Sequence, residues 1–267
     1  MSIVKDPKTG LEFYELSHVW NQDVPSYPGR ADVAMRRAVK HAAHGVLAWE
    51  SNTSLHTGTH MVAPIHVVQK TEDLAAISVD RLFGNGVVLD LRSKGSFDII
   101  TADDLKAAGE IKDGDIVVIN TGWHKKYSDA LEYFGEAPGI DTGAAEYLAS
   151  KNPKFVAMDT PFLDTPLATD MTPHRGGPHM KRLVAAYKDA TGKDAMAEFP
   201  DIFPAQKVLA RAGIPVVLQA GDQIEDVTGM RATFAATPWK FDHGDACPVR
   251  FVAIVDPSGS VKIDSGK

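Results

Sequence analysis

Short apolar runs predict a set of buried strands in this chain. Each run is rich in β-branched residues and is bounded by Gly, Pro, Asp or Asn, as strands covered on both faces commonly are. The runs occupy positions 86–91, 115–120, 155–158, 215–218 and 251–255.

Stretches with helical signals lie between these runs. Thr101 can cap a helix over 102–108, because its hydroxyl can accept a hydrogen bond from a free amide and acidic residues occupy the first turn. Asp141 and Thr142 can cap a helix over 144–150, and Pro204 suits the first turn of a helix over 205–212. Strand and helix therefore alternate from about residue 86 to 218, and this order predicts the α/β class.

The first 70 residues have a different pattern. Runs at 17–20 and 33–37 predict strands separated by turns, so an antiparallel β portion precedes the α/β part. No Ser/Gly-rich linker divides the chain, and we expect a single domain over residues 1–267. An extended loop insertion is predicted near 165–200, where the segment 172–179 is rich in Gly, Pro and His.

Composition narrows the classes of function. The 267 residues carry a formal net charge of −7, with a pI of about 5.8, which argues against a surface for nucleic acid or anionic membrane. The N-terminus lacks the apolar core of a signal peptide, and no window approaches the roughly 18 apolar residues of a membrane span. We therefore expect a soluble cytoplasmic protein.

The single cysteine limits the chemistry further. Cys247 has no second cysteine with which to form a disulfide or a thiolate metal site within the chain. Because it begins an apolar, strand-like run, we expect a buried structural thiol rather than a nucleophile.

Three histidines, His56, His60 and His66, lie within eleven residues. Imidazole is well suited to bind metal ions and to move protons near pH 7. Gly58 and Pro64 interrupt the segment, so we expect a loop or a strand end rather than a regular helix. The pattern predicts a metal site or an acid/base centre, against the alternative of three separate structural histidines.

This segment resembles the signature His-x-Gly-Thr-His-x-Asp-x-Pro-x-His of the cyclase-like metal-dependent hydrolases, a family that includes bacterial kynurenine formamidases and isatin hydrolases. Three other segments, at 25–29, 115–123 and 158–164, are similar to family motifs, and the resemblance extends from about residue 12 to 256. The signature residues in register are His56, Gly58, Thr59, His60, Pro64 and His66.

The resemblance implies a fold, an assembly and a reaction. The fold would be a swivelling β/β/α domain with a central mixed or barrel-like sheet and flanking helices, assembled as a homodimer or homotetramer. The reaction would be hydrolysis of the C–N bond of a small amide, formamide or cyclic amide. In the family the first two signature histidines bind metal and the third is the acid/base. His56 and His60 are therefore predicted ligands, and His66 is the predicted catalytic residue.

Three positions that bind metal in the family carry uncharged residues in this chain. The signature Asp is Val62. The downstream His of the family aligns with Gln206, and the Glu twelve residues later aligns with Leu218, or with Gln219 after a shift of one residue. Two divalent ions close together need bridging anions. The sequence therefore predicts a site without a carboxylate, which holds one zinc or manganese ion at most, or none.

Three outcomes are open for such a site. One ion could stay on His56, His60 and His66, in which case His66 would be a ligand and could not serve as the acid/base. The site could be metal-free, with His66 serving as acid/base in a lyase or isomerase reaction. The pocket could also bind a small molecule without turnover.

Several other residues are candidates for defined roles. Tyr27, Trp20 and Trp123 are predicted to line a substrate pocket together with Gln206 and Gln219, since such pockets combine apolar walls with a few polar groups. In a separate role, two strand-end carboxylates are predicted to cap backbone amides rather than to bind metal. They are Asp159 and Asp164.

Overall fold

A ten-stranded mixed sheet forms the centre of the protein, which a computed structural model describes over residues 3–28, 31–170 and 178–259 (the backbone alone at 178–180). The strands of the described part are β1 (Val4–Lys5), β2 (Glu12–Glu15), β3 (Ala34–Val39), β4 (Ala48–Asn52), β5 (His60–Val62), β6 (Phe83–Asp90), β7 (Ile99–Ile100), β8 (Ile116–Asn120), β9 (Gly139–Ile140), β10 (Val156–Met158), β11 (Val216–Leu218), β12 (Arg231–Ala236), β13 (Ala246–Pro248) and β14 (Phe251–Val255).

The strand order of this sheet is β1-β2-β14-β12-β6-β8-β10-β11-β5-β13. The four strands β6, β8, β10 and β11 are parallel to one another, and the strands on either side of this block pair antiparallel. Two small sheets lie outside it, the ribbon β3-β4 and the pair β7-β9. The antiparallel β portion and the α/β class predicted from the sequence are therefore confirmed.

Side chains that alternate along each central strand cover both faces of the sheet. On β8, Ile116 and Val118 belong to one buried cluster, whereas Val117 and Ile119 belong to another. Burial on both faces explains the uninterrupted apolar run from which this strand was predicted.

The sheet also curls on itself. Phe155 precedes β10 and Phe251 lies on β14, and three strands separate β10 from β14 in the sheet, yet the two ring centroids are 5.8 Å apart. One face therefore wraps around its own core, which gives the sheet a barrel-like shape, and helices cover the opposite face.

The helices on that opposite face begin at the predicted caps. Thr101 and Asp104 form a reciprocal capping box, and the Asp141 carboxylate accepts from the Ala144 amide at 2.6 Å. The described α-helices are α1 (His41–His44), α2 (Ala102–Ala108), α3 (Leu131–Gly135), α4 (Thr142–Ser150), α5 (Pro178–Thr191), α6 (Ala195–Glu198) and α7 (Pro204–Arg211).

Two predictions about the chain are wrong. The run at 17–20 is not a strand, because Ser17 makes only an isolated bridge to Ala220 and the chain then turns away. The insertion near 165–200 is not one extended loop, because α5 and α6 lie within it. Leu183 and Tyr187, four residues apart, are buried on one side of α5, and this helical spacing was hidden by the Gly- and Pro-rich segment before it. Residues 171–177 of that segment lie outside the described part.

No helix among the described residues is long and apolar enough to cross a membrane.

Candidate functional site

Strand β5 carries the middle of the histidine segment into the interior of the protein. It lies between β11 and β13, where His60 pairs with Leu218 on one side and with Pro248 on the other. His60 is 2% exposed. Its Nδ1 donates to the Gly58 carbonyl at 2.7 Å, which fixes the ring and makes Nε2 the nitrogen that can act on a ligand.

The turn before β5 depends on glycine and threonine. Gly58 has a φ of +66°, a conformation that favours glycine. The Thr59 hydroxyl donates to the Gln219 carbonyl at 2.6 Å and accepts from the His18 amide at 3.0 Å. Thr59 thus satisfies two backbone groups and ties this turn to the end of β11.

The three histidines meet in space. The ring centroids of His56 and His60 are 5.3 Å apart, and those of His56 and His66 are 4.4 Å apart. His66 ends a short 3-10 helix over Pro64–His66, in which Pro64 occupies the first turn. The convergence excludes three unrelated structural histidines.

Asp245 is a member of this cluster that the sequence analysis missed. Its Oδ2 accepts from His56 Nε2 and from His66 Nδ1, in both cases at 3.0 Å. The prediction of a site without a carboxylate is therefore wrong. Asp245 directly precedes β13, and it approaches the histidines because β13 pairs with β5, a pairing that no local sequence pattern indicates.

The hydrogen bonds from His56 and His66 hold the pKa of Asp245 well below its usual range. The carboxylate is therefore ionised, although its side chain is only half-buried, with 45% of its surface exposed. A single oxygen that faces two imidazoles gives the cluster one full negative charge at its centre.

A cavity of about 480 Å³, including its mouth, lies against the three histidines. Aromatic rings form much of its wall, and Tyr27 stands edge-on to Phe162 with their centroids 5.6 Å apart. The Tyr27 hydroxyl donates to Asp170, which also lines the cavity. The predicted place of Tyr27 in the pocket wall agrees with this geometry. The aromatic residues of the wall are Tyr27, Phe134, Phe162 and Phe203.

The positions that bind metal in the resembling family also line this cavity. Val62, Gln206 and Leu218 all face it, and so does Gln219. The predicted contribution of both glutamines to the pocket agrees with this lining. The alignment on which the substitutions were identified is therefore consistent with the fold, because positions distant in the chain share one cavity.

Two tryptophans predicted to line the pocket lie elsewhere, and those predictions are wrong. Trp123 is 3% exposed, and its indole N–H donates to the Tyr133 carbonyl at 2.9 Å, so it belongs to the core. Trp20 lies behind the Gly58 turn and lines a separate surface depression with His18. Aromatic residues serve core packing as well as pockets, and the sequence did not distinguish the two uses.

The two strand-end aspartates cap backbone amides, as predicted. Asp164 accepts from the amides of Ala205 and Gln206, at 2.7 and 3.0 Å, and thereby fixes the beginning of α7. Asp159 accepts from the Thr121 amide and hydroxyl and from the amide and Nδ1 of His124. Neither carboxylate lines the cavity.

A pair of metal ions does not fit this donor set. Three of the five positions that would surround two ions carry Val62, Gln206 and Leu218, which supply no anion. A single ion fits better. His56 Nε2, His66 Nδ1 and Asp245 Oδ2 all lie within 4.8 Å of one another, and two imidazoles with one carboxylate are a common ligand set for zinc.

Comparison with known proteins agrees with this geometry. The chain is 27% identical over 217 residues to the isatin hydrolase of Roseibium aggregatum, covering 75% of this chain and 72% of that protein. It is 23% identical over 170 residues to the kynurenine formamidase of Erythrobacter litoralis, covering 63% of this chain and 74% of that protein.

Solved structures share the fold. An isatin hydrolase bound to the product analogue thioisatinate superposes with a TM-score of 0.73 and 20% identity, over 92% of this chain and 93% of that one. A potential metal-dependent hydrolase with cyclase activity superposes with a TM-score of 0.65 and 22% identity, over 93% of this chain and 99% of that one. A profile described as putative cyclase matches residues 14–165, more than half of the sequence. The chain therefore belongs to the putative cyclase family.

Proposed function

We propose that this protein hydrolyses the C–N bond of a small planar amide, formamide or cyclic amide, with one zinc or manganese ion at most. The observation that carries the proposal is the shared cavity, in which His56, His60 and His66 meet beside Asp245 and an aromatic wall. Relatives that are named as hydrolases support the class of reaction.

The wall of the cavity suits a flat substrate with an N–H group. Tyr27 and Phe162 offer ring surfaces to a planar molecule. Gln219 is 3% exposed, and its Oε1 accepts no hydrogen bond from the described protein. A buried acceptor without a donor lowers the stability of the protein. An amide N–H of the substrate would supply the missing donor to Gln219 Oε1.

Amide hydrolysis needs water to attack the carbonyl carbon and a proton to reach the leaving nitrogen. The imidazoles of the cluster are suited to transfer that proton near pH 7. Asp245 holds the rings of His56 and His66 in fixed orientations through its two hydrogen bonds. A divalent ion bound here would lower the pKa of water and polarise the substrate carbonyl.

A turnover assay tests the proposal. The purified full chain is incubated with aromatic formamides, anilides and lactams, with zinc or manganese added, and the released amine or opened ring is measured. We expect turnover that falls by about 100-fold or more in His66→Ala. The matched control is His243→Ala, whose side chain is 86% exposed and which should keep full activity. No turnover of any amide, or equal activity of both variants, would contradict the proposal.

A metal-free lyase or isomerase is the second candidate. It is favoured by the hydrogen bond from His66 Nδ1 to Asp245, because a carboxylate on Nδ1 orients imidazole with Nε2 towards a substrate. This candidate predicts turnover of hydroxy acids that persists in chelator and is abolished by His66→Ala. Loss of all turnover in chelator would exclude it.

The predicted homodimer or homotetramer is also part of the proposal. The ribbon β3-β4 is mostly exposed, and Trp49 within it is 48% exposed. An isolated two-stranded ribbon has little stability of its own, so a second copy packed against it would supply the missing contacts. Size-exclusion chromatography with light scattering should therefore show Trp49→Ser to be less associated than the wild type.

A further inference from the structure

We propose that a single divalent cation binds to His56 Nε2, His66 Nδ1 and Asp245 Oδ2, with Asp245 in place of the carboxylate that position 62 lacks. This inference deepens the proposed hydrolase function by naming the ligands of its one ion. It also moves His66 from the acid/base role predicted for it to a ligand role.

The register of the strands explains how Asp245 can replace a carboxylate at position 62. Val62 on β5 pairs with Ala246 on β13, and Asp245 directly precedes Ala246. The Ala63 amide donates to the Asp245 carbonyl at 2.8 Å, which continues the pairing by one residue. A carboxylate lost from β5 is thus supplied from the strand that pairs with it, by the residue next to the partner of Val62.

The distances fit a single ion. Asp245 Oδ2 lies 3.0 Å from His56 Nε2 and 3.0 Å from His66 Nδ1. Tetrahedral ligands about 2.0–2.1 Å from zinc lie about 3.3 Å from one another. The two separations from Asp245 are therefore within a few tenths of an ångström of those around a bound ion, and the three ligand atoms lie within 4.8 Å of one another.

The charge of the cluster also favours one ion over two. The ligand set offers one carboxylate, whereas Val62, Gln206 and Leu218 add no negative charge. A second divalent ion would meet the repulsion of the first, and Asp170, the other carboxylate that lines the cavity, accepts a hydrogen bond from the Tyr27 hydroxyl and is not part of the cluster. Three protein ligands leave a coordination position open, as in catalytic rather than structural zinc sites.

The arrangement assigns proton transfer to His60. Its ring lies outside the three-atom set, its Nδ1 is held by the Gly58 carbonyl, and it lines the cavity. His60 Nε2 would take a proton from the attacking water and deliver it to the leaving nitrogen as the C–N bond breaks. The roles of His60 and His66 would thus be exchanged relative to those implied by the signature.

Metal binding without turnover tests this inference. The full chain is stripped of metal and titrated with Co²⁺, which is followed by calorimetry and by the visible absorption of the bound ion. We expect one ion per chain, and Asp245→Asn should weaken binding by at least about 100-fold, since even neighbours of a ligand are worth about 10–100-fold. Circular dichroism of Asp245→Asn separates loss of binding from loss of folding.

Two matched variants make the test specific. His60→Asn should keep the affinity for Co²⁺, because His60 is not a ligand in this arrangement. Asp242→Asn should also keep it, although Asp242, Asp73 and His243 form a second possible cluster at the surface. Unchanged binding in folded Asp245→Asn, or loss of binding in His60→Asn or Asp242→Asn, would overturn the inference. Tight binding through Asp245 without amide turnover would instead contradict the proposed function alone.

Discussion

Asp245 Oδ2 lies 3.0 Å from His66 Nδ1, although 179 positions separate the two residues in the chain. The contact exists because β13 pairs with β5 and brings the residue before β13 to the histidine cluster. It changes the interpretation of the site from one without any anion to one with a single central carboxylate.

Restoring the signature carboxylate should not restore a two-metal site. In Val62→Asp the new carboxylate would face the cavity that the histidines line, but Gln206 and Leu218 would still supply no anion there. We therefore expect one Co²⁺ per chain in this variant, measured by calorimetry or elemental analysis. Two tightly bound ions per chain would show that the alignment of the ligand positions is wrong.

Asp164 should make the stability of the protein depend on pH. Burial raises the pKa of Asp164 from 3.8 to about 7, so between these values the folded chain holds a proton that the unfolded chain has released. The stabilisation from this proton is complete below about pH 4 and is lost as the pH rises through about 7. Asn at this position keeps an acceptor for one amide of α7 and cannot titrate.

The measurement for Asp164 is the urea midpoint of the wild type and of Asp164→Asn at pH 5 and pH 8. The wild type should lose stability relative to the variant between these values, by an amount on the order of a few kcal/mol. Asp201→Asn, at an exposed position, is the control and should show no such change. A difference between wild type and Asp164→Asn that does not vary with pH would contradict the argument.

Gly58 should resist substitution for two separable reasons. Its φ is +66°, and a Cβ there would lie 3.1 Å from Trp20 Cδ1. Gly229 has a φ of +78° with no heavy atom within 4 Å of its Cβ position, so Gly229→Ala measures the backbone effect alone, about 1 kcal/mol. Gly58→Ala should lower the free energy of unfolding by more than Gly229→Ala. If urea denaturation gives the same loss of unfolding free energy for both variants, the Trp20 side chain moves away from the new Cβ without a loss of stability.

The Gln219 side chain should lower the free energy of unfolding but favour the binding of substrates that carry an N–H group. Its buried Oε1 accepts no hydrogen bond from the described protein. Gln219→Met keeps the shape of the side chain but removes that acceptor, which should raise the free energy of unfolding by about 1 kcal/mol. The same change should raise KM for amides that carry an N–H more than for their N-methyl counterparts. If KM rises equally for both kinds of substrate, Gln219 does not accept the substrate N–H.

The sequence predicted those parts of the protein that depend on local signals. The caps at Thr101 and Asp141 and the buried run of β8 follow from neighbouring residues alone, and the structure confirms them. The histidine segment is also local, because its signature lies within eleven residues. The lining of the cavity by Gln206 and Gln219 came from the family alignment and agrees with the fold.

The remainder depends on contacts between distant segments. Asp245 was missed because nothing near it indicates that β13 pairs with β5. Trp123 was placed in the pocket because an aromatic ring beside a strand end suits a pocket and a core equally well. Its burial and its hydrogen bond to the Tyr133 carbonyl identify the core. Helix α5 was missed because its beginning follows a segment whose composition is typical of loops.

The most direct test of the replaced carboxylate is a crystal structure of the protein soaked with zinc, with anomalous diffraction measured at the zinc edge. We predict one anomalous peak per chain, located between His56 Nε2, His66 Nδ1 and Asp245 Oδ2. A peak that touches His60 instead of His66, or a second peak towards Val62 and Gln206, would contradict the account.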